Sequence, residues 1–243
     1  MLDIVALEDV TARAWPARVH ERLGGWRLNA AGGRTGRANT CWALEAPDRE
    51  PTEAIAAVEA WYEARGQAPR FKTTDGAVQP AELPALLTAR GYTASTETIV
   101  MLGPVGGQAE AVITTEPDGR FQSVLFEALY KDPADAEERL ETLRRIAPPV
   151  FFARLDVEGV PAAVGACAVE GQWAGLSVMR TVERARRQGL ARRIVGSLLE
   201  QARRAGASRS YLQVEADNAP AVALYEACGF AEAYRYRYWA LGA

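Results

Sequence analysis

The residues best suited to chemistry lie in one run, Met179-Arg180-Thr181-Val182-Glu183-Arg184-Ala185-Arg186-Arg187-Gln188-Gly189-Leu190-Ala191-Arg192. The pattern predicts a strand end, a basic loop and a helix that opens at Gly189. A helix N-terminus exposes N–H groups without intrahelical partners and carries the positive end of the macrodipole, so a phosphate binds well there. Gly189 lets the backbone approach a bulky anion, and Ala191 keeps the first turn open. Arg186, Arg187 and Arg192 add charge. There is no GxxxxGK followed by Ser or Thr, and no GxGxxG, so this is neither a Walker loop nor a dinucleotide fingerprint. The plainer alternative is a solvated basic helix start.

A second segment follows, Tyr211-Leu-Gln-Val-Glu-Ala-Asp-Asn-Ala-Pro-Ala-Val-Ala-Leu-Tyr-Glu-Ala-Cys-Gly-Phe230. It reads as a strand, Asn218, a helix carrying Tyr225, and a stop at Gly229. Asn before Ala-Pro is a good helix start. Tyr225 is either a core aromatic or a phenol able to give a proton to a leaving group. Glu215 is the acid nearest this segment, as a base or as a plain strand-end charge.

These two segments together resemble the cofactor site of the GCN5-related N-acetyltransferase superfamily. Residues 186–191, RRQGLA, resemble its R/Q-x-x-G-x-G/A pyrophosphate loop, and the second segment matches the rest of the site in order and spacing. The resemblance covers about residues 110–243. It implies an α/β (α+β) fold with a mixed, mostly antiparallel sheet splayed between two strands, flanked by helices, with acetyl-CoA as cosubstrate in the cleft. By position, Met179, Arg180 and Thr181 would offer backbone groups to the pantetheine arm. Arg186, Arg187, Gln188, Gly189, Leu190, Ala191 and Arg192 would wrap the pyrophosphate. Asn218 would bond the pantetheine amide region, and Tyr225 would sit near the sulfur. A primary amine would then attack the thioester directly in a ternary complex. Some relatives carry a glutamate base five residues before the Asn; here Gln213 stands there. A base on the preceding strand would fall near Trp173. A water-mediated base, or proton loss before binding, becomes the default. The competing reading is a non-catalytic acyl-CoA-binding module or sensor.

The N-terminal half, with GGWRLN, RTGRANT and VEAWYEARG, resembles the accessory domain of two-domain bacterial members. Its Gly33–Ala38 stretch lies between expected strands without a following helix, so this half is read as a degenerate copy. The expected organisation is 1–103 accessory domain, 104–109 linker and 110–243 catalytic domain. Leu86–Tyr92 and Leu224–Phe230 share a helix-end, Gly, aromatic pattern. That is either a weak internal repeat or a common junction.

Composition bounds these readings. The chain has 243 residues, 49% hydrophobic and 24% charged, enough for a real core in one or two domains. Its net charge of −3 excludes a global pull toward nucleic acid or anionic membrane. Locally, residues 180–209 hold nine arginines against Glu183 and Glu200, which suggests an anion site. No aromatic lies in that stretch to stack on bases, so nucleic-acid binding is disfavoured. Cys41, Cys167 and Cys228 have no CxxC spacing, and His20 is the single histidine. A disulfide framework, a multi-His metal site or any other metal role is therefore not expected. No signal peptide is read at MLDIVALEDV, and the longest apolar run, around Val160–Val169, is too short to span a bilayer. A cytoplasmic, bacterial protein is expected, a monomer or homodimer, without a membrane partner. Its acceptor would be a small-molecule or peptide amine.

The elements that must position the site follow from periodicity. Helices are expected over 53–65, capped by Thr52, and over 83–90, 122–130 and 189–205, with one opening at Asp132-Pro133 and another over 220–228. Strands are expected over 93–102, 112–115, 150–157, 160–169, 173–182 and 211–215, and in the alternating Tyr234–Tyr238 tail.

Overall fold

The computed structural model describes residues 2–95 and 97–242. Thr96, inside the strand expected over 93–102, lies outside the described residues. The first half runs α1 (Ile4–Arg13), β1 (Val19–Leu23), β2 (Trp26–Ala30), β3 (Cys41–Ala43), α2 (Pro51–Glu63), β4 (Arg70–Thr74), α3 (Leu83–Ala89), β5 (Tyr92–Ala94) and β6 (Thr98–Gly103). The second runs β7 (Val112–Thr114), α4 (Gly119–Ala128), α5 (Pro133–Arg144), β8 (Val150–Val157), β9 (Val160–Glu170), β10 (Trp173–Thr181), α6 (Leu190–Arg204), β11 (Arg209–Glu215), α7 (Ala219–Ala227) and β12 (Ala231–Leu241). The expected helices and strands are therefore present with ends moved by a few residues, except that the single strand expected over 93–102 is two, β5 and β6. The helix placed at 53–65 starts at Pro51, and Thr52 does not cap it.

All twelve strands share one sheet, in the order β1-β2-β3-β4-β12-β6-β11-β10-β9-β8-β7, with β5 also on β12. The described pairings are antiparallel except β3 with β4 and β10 with β11. Each parallel pair is joined by a helix, α2 or α6, as a parallel crossover requires. The two halves repeat one order: an antiparallel pair, a crossover helix, a parallel strand, a short helix and a last strand. Gly91 and Gly229 turn each short helix into its last strand at φ 84° and 86°, a conformation that costs glycine little. The topological counterpart of the basic loop in the first half is 44–50, Leu-Glu-Ala-Pro-Asp-Arg-Glu, which is acidic.

The last strands cross over between halves. Strand β6 lies between β11 and β12, and β12 pairs with β4 and β5 as well as β6. The sheet is continuous across the 104–109 connector. That connector is itself docked on α6: Gly106 N–H donates to Leu199 O at 3.0 Å, and Ser197 Oγ accepts from the amides of Glu110 and Ala111.

The main core gathers α4, α5 and α6 against β8–β11. Helix α6 buries Leu190, Ile194, Val195, Leu198 and Leu199. Each such side chain contributes about 2 kcal/mol. Burial on this scale fixes the α6 N-terminus against the sheet, which sets the position of the basic loop.

Candidate functional site

Strands β10 and β11 pair only at Trp173–Gly175 opposite Arg209–Tyr211. Beyond Gly175 they part. The β9–β10 register shifts between Ser177 and Arg180, and Val178 takes φ 51°. A β-branched residue in the left-handed region is a true outlier, and such strain persists where the surroundings over-determine it. The bulge turns the end of β10 away from β11 and leaves its backbone groups facing the gap. The resulting cavity, about 400 Å³, is lined by Leu176–Arg180 on one wall and Leu212–Glu215 on the other. Of the expected site residues, Met179, Arg180, Glu215, Asn218 and Tyr225 line it.

Thr181 and Arg186–Arg192 lie outside that cavity, along the path from β10 to α6. A single 3₁₀ turn, Glu183–Ala185, leads into the loop. Arg187 and Gly189 take φ 61° and 74°. The first intrahelical bond of α6 runs from Arg193 N–H to Gly189 O at 3.2 Å, so the amides of Leu190, Ala191 and Arg192 precede it. Leu190 buries its side chain at 3% exposure, leaving only its backbone to the loop. Of the nine arginines, Arg180 lines the cavity and the other eight sort by partner. Arg184 pairs with Glu127, Arg193 with Glu110, and Arg203 and Arg204 with Glu200. Arg209 stacks over Trp173. Arg186, Arg187 and Arg192 are exposed and have no ion pair among the described residues. The unpaired charge therefore collects at the helix start, the arrangement an anion site requires.

Tyr225 projects from α7 with 8% exposure and packs edge-on to Phe230 at 6.2 Å. Burial pushes its phenol up to about 12, against a smaller opposing pull from Arg180. It therefore keeps its proton at neutral pH. Asn218 caps α7, its Oδ1 accepting from Ala221 N–H at 3.3 Å. Gln213 Oε1 accepts from Tyr236 OH at 2.8 Å, and its Nε2 is buried without a partner. Trp173 packs against Tyr211. Neither position holds a base. Burial raises the Cys167 thiol to about 12 and also raises Cys41 and Cys228, which disfavours thiolate chemistry at all three. His20 sits exposed on β1.

Sequence reasoning did not find the far wall of the cavity. Arg34, Thr35, Gly36 and Arg37 from the β2–β3 loop, Arg139 from α5, and Tyr236 and Tyr238 from β12 all line it. Glu138 on α5 holds that loop: its carboxylate accepts from Arg34 N–H at 2.9 Å, Thr35 N–H at 2.7 Å, Thr35 Oγ1 at 2.5 Å and Asn39 Nδ2 at 3.0 Å. Gly36 packs on the Tyr238 ring, where a Cβ would fall 2.6 Å from it. The local signal for the loop was three glycines and two arginines between strands, and nothing in it points to a contact a hundred residues away.

The chain belongs to the GCN5-related N-acetyltransferases, an acyltransferase family: the family model described as "Probable histone acetyltransferase Rv0428c C-terminal" matches residues 2–239. A similar curated protein is the uncharacterized N-acetyltransferase YobR of Bacillus subtilis, 28% identical over 251 residues and covering 98% of each chain. Among solved structures, a GCN5-related N-acetyltransferase from Kribbella flavida superposes with TM-score 0.69 at 15% identity, over 98% of this chain and 95% of that one. A tandem GNAT protein from the clavulanic acid biosynthesis pathway superposes with TM-score 0.63 at 15% identity, over 98% and 88%. These likenesses show the fold across both halves. Among the described residues no helix is long and apolar enough to cross a membrane.

Proposed function

We propose that this protein transfers the acetyl group of acetyl-CoA to a primary amine in the β10–β11 cleft, by direct attack in a ternary complex. The observation that carries the reading is the continuity of three features: splayed strands, an unpaired arginine loop on a helix N-terminus, and a buried phenol on the adjoining helix. Residues 186–192 fit a pyrophosphate by charge and by free amides, and the parted edge of β10 fits an amide-bearing arm. Bound acetyl-CoA supplies a thioester. The amides of β10 at the bulge donate to its carbonyl oxygen as negative charge develops there. Tyr225 donates its proton to the departing thiolate. Gln213 and Trp173 offer no base, so the amine arrives neutral or loses its proton through water, with Glu215 at the cleft edge as the nearest carboxylate. The two halves, 1–103 and 110–243, are read as two copies of one unit, of which the second binds the cosubstrate. Its basic loop has an acidic counterpart at 44–50 in the first. A cytoplasmic location completes the reading.

The matching family's description names a histone acceptor for its namesake. The lining of this cavity carries a surplus of guanidinium groups, which suits a lysine-rich tail poorly. Calorimetric titration with acetyl-CoA, followed by thiol release with an amine library, tests the proposal. Binding with turnover that collapses in Tyr225→Phe supports it. Binding without turnover on any amine would return the protein to the acyl-CoA sensor reading.

A further inference from the structure

The charged lining of the cleft is predominantly cationic. Four arginines line the cavity, Arg34, Arg37, Arg139 and Arg180, against one carboxylate, Glu215. Two of the four are already neutralised. Arg34 pairs with Asp132 at 3.3 Å and Arg139 with Asp135 at 2.9 Å. The other two have no carboxylate within ion-pair distance among the described residues. Arg37 lies with its guanidinium 4.6 Å above the Trp15 ring, a stacking contact that holds the side chain without neutralising it. The Arg180 guanidinium donates to the neighbouring Met179 carbonyl at 2.9 Å.

An unpaired, largely desolvated guanidinium costs free energy unless an anion meets it. Here two unpaired, half-buried guanidinium groups line one cavity, Arg37 from the first half and Arg180 from the second. The same cavity is lined by further donors without an anionic partner: the Gln213 Nε2, buried and unpartnered, and the Tyr238 hydroxyl, which donates to Tyr236 OH at 3.4 Å. The position of Arg37 is not an accident of a loose loop. Four hydrogen bonds from residues 34–39 to the buried Glu138 carboxylate hold it there.

We infer that the acceptor is an amine that also carries a carboxylate, an amino-acid-like zwitterion, whose carboxylate is held by Arg37 and Arg180 while its amine faces the thioester. Arginine is suited to this because its planar fork matches a carboxylate in a bidentate fashion. The inference rests on the acetyltransferase reading and deepens it by naming the acceptor class. It also gives the first half a direct part in the reaction, through Arg37.

The test separates the two levels. Acetyl-CoA affinity is measured first, by calorimetry, and its absence overturns the acetyltransferase reading. With binding established, thiol release is followed for the free amino acids, their methyl esters, phosphoethanolamine, putrescine and a lysine-rich peptide. The same ligands are scored by thermal shift on the CoA-loaded protein. Turnover or binding of a free amino acid, lost in its ester, supports the inference. A preference for phosphoethanolamine, putrescine, the basic peptide or the esters overturns it, as does failure of every free amino acid in both assays. Arg37→Gln is expected to raise KM for the carboxylate substrate about 30-fold or more, with acetyl-CoA affinity retained. Arg37→Lys is expected to recover part of that loss, and it serves as the second variant should Arg37→Gln fold poorly. Equal KM in wild type and both variants would remove Arg37 from acceptor binding.

Discussion

The Glu138 carboxylate on α5 accepts the backbone N–H of Thr35 at 2.7 Å and its hydroxyl at 2.5 Å, tying the β2–β3 loop of one half to a helix of the other. Glu138 is 5% exposed, and Thr35, whose amide and hydroxyl it accepts, is itself buried. Replacing Glu138 by Ala takes the acceptor from both Thr35 donors at once, while Asn39 Nδ2 keeps its bond to the Thr35 carbonyl. The expected loss is about 3 kcal/mol, read as a fall in urea midpoint with the slope unchanged. A variant as stable as wild type would show that the loop does not depend on this contact.

Gly189 tests the basic loop apart from the fold. It takes φ 74° and a Cβ there would meet nothing within 4 Å. Space is therefore free in the unliganded protein, and the penalty for Gly189→Val is backbone strain of about 1–2 kcal/mol. The same side chain stands where a pyrophosphate would approach the α6 amides. A modest fall in Tm with acetyl-CoA binding abolished is expected. Unchanged calorimetric affinity would move the cosubstrate elsewhere.

Tyr225→Phe keeps the packing on Phe230 and removes only the hydroxyl. Stability and acetyl-CoA affinity should change little, while kcat falls about 100-fold or more, the scale of a lost general acid. Rapid-quench or steady-state thiol release distinguishes this from a structural role, which would lower stability instead.

The pH profile follows from the same residue. Burial raises the Tyr225 phenol to about 12, so its proton is present below that pH and is lost only as pH rises through it. An ordinary tyrosine would start to lose it near 10. With acetyl-CoA saturating, kcat should rise with pH as the amine deprotonates and show no descending limb through about pH 10. A falling limb centred well below 10 would exclude Tyr225 as the donor.

Between α1, β4 and β12, Lys72 lies fully buried and donates to Glu8 Oε2 at 2.5 Å, flanked by the Trp42 and Tyr236 rings at 3.8 and 4.1 Å. Tyr234 OH completes the site on Glu8 Oε1 at 2.9 Å. Removing one charge strands the other: Glu8→Ala should cost about 3–5 kcal/mol. The double change Glu8→Leu with Lys72→Met should cost less than Glu8→Ala alone, as judged by urea denaturation. A double variant less stable than the single one would show that the ion pair is favourable in its own right.

How much of this was legible in the sequence depends on range. The placement of the basic loop at the α6 start and of Asn218 and Tyr225 on the cleft was readable because they lie in two contiguous segments whose spacing is itself informative. Helix α6 was readable because Leu190, Ile194, Leu198 and Ala202 keep a helical period. Helix α1 was not expected: its acidic residues register as interruptions of an apolar run, although Asp3 caps it through Ala6 N–H at 2.9 Å. The far wall of the cleft was illegible for a stronger reason. Arg37 reaches the site through Glu138, and Tyr236 and Tyr238 reach it because β12 pairs with β6 and β4. The tail's alternation announces a strand but not which strands receive it. Pairing partners are chosen by tertiary burial, which no local window contains.

The exchange of last strands has a consequence for how the molecule can fail. A chain cut within 104–109 would yield one piece missing β12 beside β4, and another missing β6 between β11 and β12. Each fragment would expose a long unsatisfied sheet edge where a neighbour belongs. Stitched in this way, the arginine loop and the Arg37 wall have no separate existence: heat or denaturant should dismantle both in one transition, leaving no intermediate that still holds acetyl-CoA.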